Sequence, residues 1–219
     1  MNRRFNTPLL WGAHSPFIAF TGAGLIIMAS SRFAYAIICA GALLWVYGLT
    51  TLVFSNAEII MPRRGRMIIL LFLSTFLCGI FMFLAGLLNP LLIISAGYFM
   101  ILIPPCCLGS GLFEACDSVD PMEAVSRSLL EAGVMAGIII ALALIREPLG
   151  MGTLSFPGGP QGIVDLFNNH DAEHFVPARI LSASAGGILL FGYGTALFLY
   201  FSERNGGIPR NSELQEEDQ

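Results

Sequence analysis

Charge is scarce in this chain. Only 12% of its 219 residues are Asp, Glu, Lys or Arg, about half the share of a typical soluble domain. That excludes a large water-solvated surface. Basic patches interleaved with aromatics are missing too, and the formal net charge of -4, with much of the acid in Glu213, Glu216, Glu217 and Asp218, is that of a solvated terminus. No nucleic-acid partner fits such a distribution. The chain has no Walker loop, nucleophile elbow, dinucleotide fingerprint or CxxC pair, so hydrolysis and nucleotide binding are unsupported. Its five cysteines, Cys39, Cys78, Cys106, Cys107 and Cys116, include no set of four at iron-sulfur spacing. At least three lie in or beside apolar runs, which argues against an extracellular disulfide framework and reads most simply as reduced packing residues. His14, His170 and His174 are scattered, and the i,i+4 pair His170 and His174 resembles zinc ligation only loosely.

What is abundant is apolar sequence, 55% of the residues, with a mean hydropathy of +0.74. Five stretches of about 18 to 22 apolar residues, with a shorter one before them, can cross a hydrocarbon core roughly 30 Å thick. They fall at roughly 16–31, 33–54, 67–88, 91–108, 128–145 and 180–201, which leaves too little chain for a separate soluble domain. The basic start at Arg3 and Arg4 is followed by an apolar stretch with no small-residue cleavage site, so the first span is expected to stay. The fold class expected over residues 1–219 is therefore an all-α integral membrane protein of six transmembrane helices in one domain, because only a helix satisfies its own backbone in lipid.

Two spans are expected to be broken. The first is short and carries Gly22-Ala23-Gly24, and the fourth ends in Ile103-Pro104-Pro105-Cys106-Cys107. First and fourth of six are corresponding positions in two inverted three-helix halves, although no residue-level repeat is visible. Arg3, Arg4, Arg63, Arg64, Arg66, Arg204 and Arg210 fall on one side of a six-span arrangement, which the positive-inside rule makes cytoplasmic for both termini. The loop 147–179 is then external, with an amphipathic patch at Ile163-Val164-Asp165-Leu166-Phe167 suited to the interface.

Residues able to carry chemistry are few. Cys106 and Cys107 sit at a Pro-Pro break, and thiolates are the natural ligands of iron-sulfur clusters; buried packing is the plainer reading. Glu131 lies inside the fifth span, where an ionisable group is expensive and so points to an ion pathway unless it merely reaches the interface. Gly133 and Gly137 of the same span form a small-xxx-small face for close helix approach. Glu114, Asp117, Asp120 and Glu123 make 109–126 acidic, either as plain solvated charge or as a cation-attracting mouth, with Glu114 the second ion-pathway candidate.

The stretch Cys106-Cys107-Leu-Gly-Ser-Gly111-Leu-Phe-Glu114, followed by Arg146-Glu147-Pro-Leu-Gly150-Met-Gly152-Thr153-Leu154, resembles the Rnf/Nqr six-span membrane subunits, most closely the RnfE/NqrD type. The resemblance implies an inner-membrane subunit of an ion-translocating electron-transport oxidoreductase complex, not catalytic alone, coupling electron transfer across the membrane to Na+ or H+ transport. It also implies an RnfA/NqrE-like partner, flavin-carrying subunits, and a 2Fe–2S iron-sulfur cluster shared with the partner, with Cys107 the ligand of the fourth span. The sequence departs from that pattern in the first span, where Thr21-Gly22-Ala23-Gly24-Leu25 has no Cys, and at Cys106, where the family carries Asn. Two alternatives stay open: a transporter or solute-binding subunit, suited by six helices with two breaks, and a structural paralogue that has lost its cluster.

Overall fold

A computed structural model describes residues 16–57, 66–109, 121–158, 162–168 and 179–204. The described chain is mostly helical. It comprises α1 (Pro16–Ala29), α2 (Phe33–Ala57), α3 (Arg66–Leu88), α4 (Pro90–Met100), α5 (Ile103–Gly109) and α6 (Pro121–Met151), then strands β1 (Thr153–Pro157) and β2 (Ile163–Asn168), a 3-10 turn (Arg179–Leu181) and α7 (Ser184–Arg204). Three helices, α2, α3 and α6, are long and apolar enough to cross a membrane, while α4 and α7 hold shorter apolar stretches. At a rise of 1.5 Å per residue, the 14 residues of α1 reach about 21 Å, short of a hydrocarbon core.

Helix α2 forms the centre. Half of its apolar window is buried, against 17% for α3, whose Phe72, Phe76, Phe83, Leu87 and Leu88 all face outward. Its partner is α6, which turns Ala124, Ser128, Ala132, Ala136, Ile139 and Ala143 inward, a stripe at helical spacing. Small side chains on that stripe allow the close backbone approach that drives helix association in lipid, and Gly48 of α2 lies against Leu129. Gly133 and Gly137 do not serve this contact: both are exposed, with nothing within 4 Å of a Cβ at either position. Alanine takes the role expected of glycine because the α2-facing side of α6 lies round the helix from them.

The run expected as the fourth span is interrupted and the run expected as the first is not. Between α4 and α5 the helix gives way to a turn at Ile101 and Leu102. Pro104 and Pro105 have no N–H with which to continue the ladder onto Met100 and Ile101, and the chain restarts with both prolines in the first turn of α5, where no donor is needed. Helix α1 instead runs unbroken through Gly22-Ala23-Gly24. Its glycines pass close to other side chains: a Cβ at Gly22 would lie 3.7 Å from Met135 Cε and one at Gly24 would lie 3.9 Å from Leu102 Cδ1.

The stretch expected to be an irregular external loop is partly ordered. Helix α6 continues to Met151, and β1 and β2 then form an antiparallel hairpin with a bulge between Leu154 and Ser155, so the described chain is not purely helical. Two strands alone are marginal. This hairpin is held near its turn on both strands, by Phe156 against the Phe33 ring at 5.0 Å and by Asn89 Nδ2, which donates to Gly162 O at 2.9 Å. These contacts gather the ends of α1, α3 and α6 and the starts of α2, α4 and α7 at one end of the bundle.

Candidate functional site

Two groups of polar residues lie inside the bundle. The first surrounds the helix break. Cys39 on α2, Cys78 on α3, and Cys106 and Cys107 on α5 are all buried in one core cluster. Cys39 is within electrostatic reach of both Cys106 and Cys78, and the Cys78 thiol donates to Met100 O at 3.6 Å, a carbonyl that Pro104 leaves without its helical donor. Cys107 is within electrostatic reach of Cys106 and of Glu131 on α6, with the Thr50 hydroxyl of α2 beside it. Thr50 Oγ1 and Glu131 Oε2 are both sealed from solvent with no hydrogen-bond partner among the described residues. Thr50 itself is 0% exposed. An unpartnered buried hydroxyl costs about 1–3 kcal/mol, and an unpartnered carboxylate oxygen more.

The second group sits where the helix ends gather. Arg146, 2% exposed, spends its guanidinium on backbone. Nε donates to Leu181 O at 2.7 Å, Nη1 to Ile27 O at 2.7 Å and to Ser30 Oγ at 3.2 Å, and Nη2 to Ser182 O and Ala183 O. It thus places a cation on the carbonyl-rich end of α1, as the helix dipole favours, and ties the entry of α7 to it. Glu147 completes the arrangement from the same turn. Its Oε2 accepts from Phe33 N at 2.6 Å and Ser155 Oγ accepts from Ala34 N at 3.4 Å, so the first amides of α2 are capped by residues far away in sequence. Gly150 and Gly187 are required here: a Cβ at Gly150 would stand 2.8 Å from Ser182 N, and one at Gly187 would stand 2.9 Å from Arg146 Nη1. Gly152 turns the chain into β1 with φ +68°, a conformation that glycine takes without strain. The Arg-Glu-x-x-Gly-x-Gly pattern is therefore a joint between helix ends.

Of the residues expected from sequence, the fold brings Cys107 to Glu131 and seats Cys106 beside Cys39. Glu114, Cys116, His14, His170 and His174 lie outside the described residues. Thr50 escaped the sequence reading, since one threonine in an apolar run carries no signal before its neighbours are known.

A 2Fe–2S cluster shared across a subunit boundary does not fit these thiols as they lie. Such a cluster needs sulfurs presented at an outer face, whereas Cys106 and Cys107 are 3% and 1% exposed, turned to α2 and α6. Iron content and the EPR spectrum of the chain purified with its membrane partners are expected to be unchanged by Cys107→Ala; loss of an iron-sulfur signal in that variant would contradict a purely inward-facing role for the thiols.

Compared with models of known protein families and with curated proteins, the chain matches none.

Proposed function

We propose that the chain is a membrane subunit of a redox-driven ion translocase of the Rnf/Nqr type, and that Glu131 is the side chain with which it handles the transported Na+ or H+. The observation that carries the ion-handling part is the Glu131 carboxylate in the bundle interior, with Oε2 sealed and unpartnered. Ionisable groups are retained in membrane helices where they pair with something or conduct something, and among the described residues no group pairs with this oxygen.

The Rnf/Nqr part is supported by the motifs at Cys106 to Glu114 and Arg146 to Leu154 and by the arrangement of the helices. Counting α4 and α5 as one interrupted helix, successive helices run in alternate directions, as six spans in two inverted halves require. The arginine-rich segments 3–4, 63–66 and 204–210 then face the cytoplasm, and the Arg146–Glu147 joint and the hairpin face the far side of the inner membrane. In this reading the flavin-carrying partners move electrons, an RnfA/NqrE-like subunit packs beside this one, and the chain contributes the ion path. The inward-facing thiols favour a subunit that kept the fold without carrying a cluster over one that ligates it.

An affinity-tagged chain extracted from its own membranes is expected to bring flavin-carrying subunits with it, and deletion of the chain is expected to abolish donor-driven cation uptake by membrane vesicles. Elution with an ATPase pair, or uptake that survives deletion, would favour the transporter reading and contradict this one.

A further inference from the structure

One turn fixes the depth of the clasp end of the bundle. Asn89, between α3 and α4, spends every polar group on the protein. Its N–H donates to Ala85 O at 2.9 Å and its carbonyl accepts from Ile93 N at 3.2 Å. Oδ1 accepts from Leu92 N at 3.3 Å, and Nδ2 donates to Gly162 O. Around it Leu87, Leu88 and Leu91 are 69%, 76% and 58% exposed. A turn that shows leucine outward and keeps its one polar side chain for itself is suited to hydrocarbon and gains nothing from water. These leucines continue the outward face that Phe83, Leu84 and Ile94 give to α3 and α4.

The hairpin is pinned to the same level. A Cβ at Gly162 would stand 3.2 Å from Leu91 Cβ, Phe156 lies on Phe33 at the start of α2, and β1 begins just after α6 ends. The five residues of β1 reach about 17 Å. That matches two interhelical spacings of about 8–10 Å each, from α6 over α2 to the α3–α4 turn. The hairpin therefore lies across the helix axes. Strand β1 rests on α2 and α6, and the outer strand, β2, exposes Val164 and Leu166 with Asp165 between them.

We infer that the hairpin is seated in the membrane leaflet at this end, with Val164 and Leu166 on the acyl chains and Asp165 at the headgroups, so that the Arg146–Glu147 clasp beneath it lies below the water boundary. Lipid is the occupant because the outer strand continues the bilayer-facing surface of α3 and α4 at the level that Asn89 sets. The inference goes beyond ion handling and does not depend on Glu131. It also accounts for the clasp. Charges near a span end ordinarily reach out to water, whereas Arg146 and Glu147 turn inward onto backbone, under a strand whose Ser155 Oγ accepts from Ala34 N.

Nitroxide labels read this depth in the chain purified with its membrane partners and reconstituted in phosphatidylcholine vesicles. Labels on Val164→Cys and Leu166→Cys are expected to collide more with oxygen than with a water-soluble nickel chelate, at a depth about 5–10 Å inside the headgroup boundary. The unsubstituted chain, labelled in parallel, measures the background from native thiols, of which Cys39, Cys78, Cys106 and Cys107 are buried. Phe76→Cys, on the outward face of α3, sets the lipid reference, and Glu123→Cys, in an exposed ion pair, sets the water reference. The label on Asp165→Cys is expected to fall between the two. Nickel contact at Val164→Cys and Leu166→Cys equal to that at Glu123→Cys would put the hairpin in water and overturn the inference. Labels reached by neither reagent would put a protein partner over the strand, and that outcome would overturn it too.

Discussion

Replacing Arg146 with Ala is expected to lower the thermal midpoint of the detergent-purified protein by about 10 °C, the sum of several buried losses at one residue. The guanidinium is buried and donates five hydrogen bonds to two separate pieces of chain, the end of α1 and the entry to α7. Truncation strips donors from Ile27 O, Ser30 Oγ, Leu181 O, Ser182 O and Ala183 O together, and each buried acceptor left bare costs about 1–3 kcal/mol before water re-enters. Removing one side of a buried charged network costs about 3–5 kcal/mol in total, and in a chain of this size about 1 kcal/mol moves the midpoint 2–4 °C. Arg146→Lys is expected to fall between the parent and the alanine variant, because one ammonium has three donors and no fork with which to reach both α1 and the entry to α7. Arg127 provides the control. Its ion pair with Glu123 is solvent-facing, the side chains 40% and 48% exposed, and such pairs contribute about 0–1 kcal/mol; Arg127→Ala should leave the midpoint within about 2 °C. Equal shifts for Arg127→Ala and Arg146→Ala would contradict the clasp.

Much of this frame is legible in the sequence, and the misses have physical reasons. The centres and most limits of the long helices follow from hydropathy alone, and the break in the fourth is written in Pro104 and Pro105, whose missing donors act wherever the chain is placed. The end of α6 is less legible. Arg146, Glu147 and Pro148 read as a boundary because charge and proline usually end a span, yet the helix carries them on to Met151, since both charges are consumed as caps of other helices. Gly22 and Gly24 mislead in the opposite sense: glycine permits a break, but it equally permits close packing, and only the positions of Met135 and Leu102 decide which. The hairpin is written as two short β-rich runs around Gly158 and Gly162, overshadowed by the expectation that an external segment is irregular. Cys107 and Glu131 are legible as residue types out of place in lipid. Their meeting point with Thr50 is not, because an orphaned hydroxyl is a property of tertiary packing and leaves no mark in a run of apolar residues.

Glu131 is the centre of the proposed ion path. A carboxylate inside the bundle with one sealed, unpartnered oxygen is a standing cost that an apolar or amide side chain would avoid, so a purely structural role predicts that Glu131→Gln is neutral or stabilising. An ion-handling role predicts the opposite for function. Glutamine keeps the shape and one carbonyl oxygen but cannot bear the negative charge that draws a cation out of water, and losing it is expected to cut translocation by about a hundredfold or more, in line with unpairing a desolvated cation. Glu131→Asp keeps the charge on a shorter stem and should retain part of the rate. Electron transfer from donor to acceptor in uncoupled membranes, and the amount of assembled complex, are expected to stay close to the parent values, because the substitution touches neither the clasp at Arg146 nor the alanine stripe that joins α6 to α2. The direct measurement is donor-driven uptake of Na+ and of H+ by inverted membrane vesicles carrying Glu131→Gln, normalised to assembled complex. An ion path through Glu131 predicts electron transfer with cation uptake abolished; uptake at the parent rate in a normally assembled complex would contradict it.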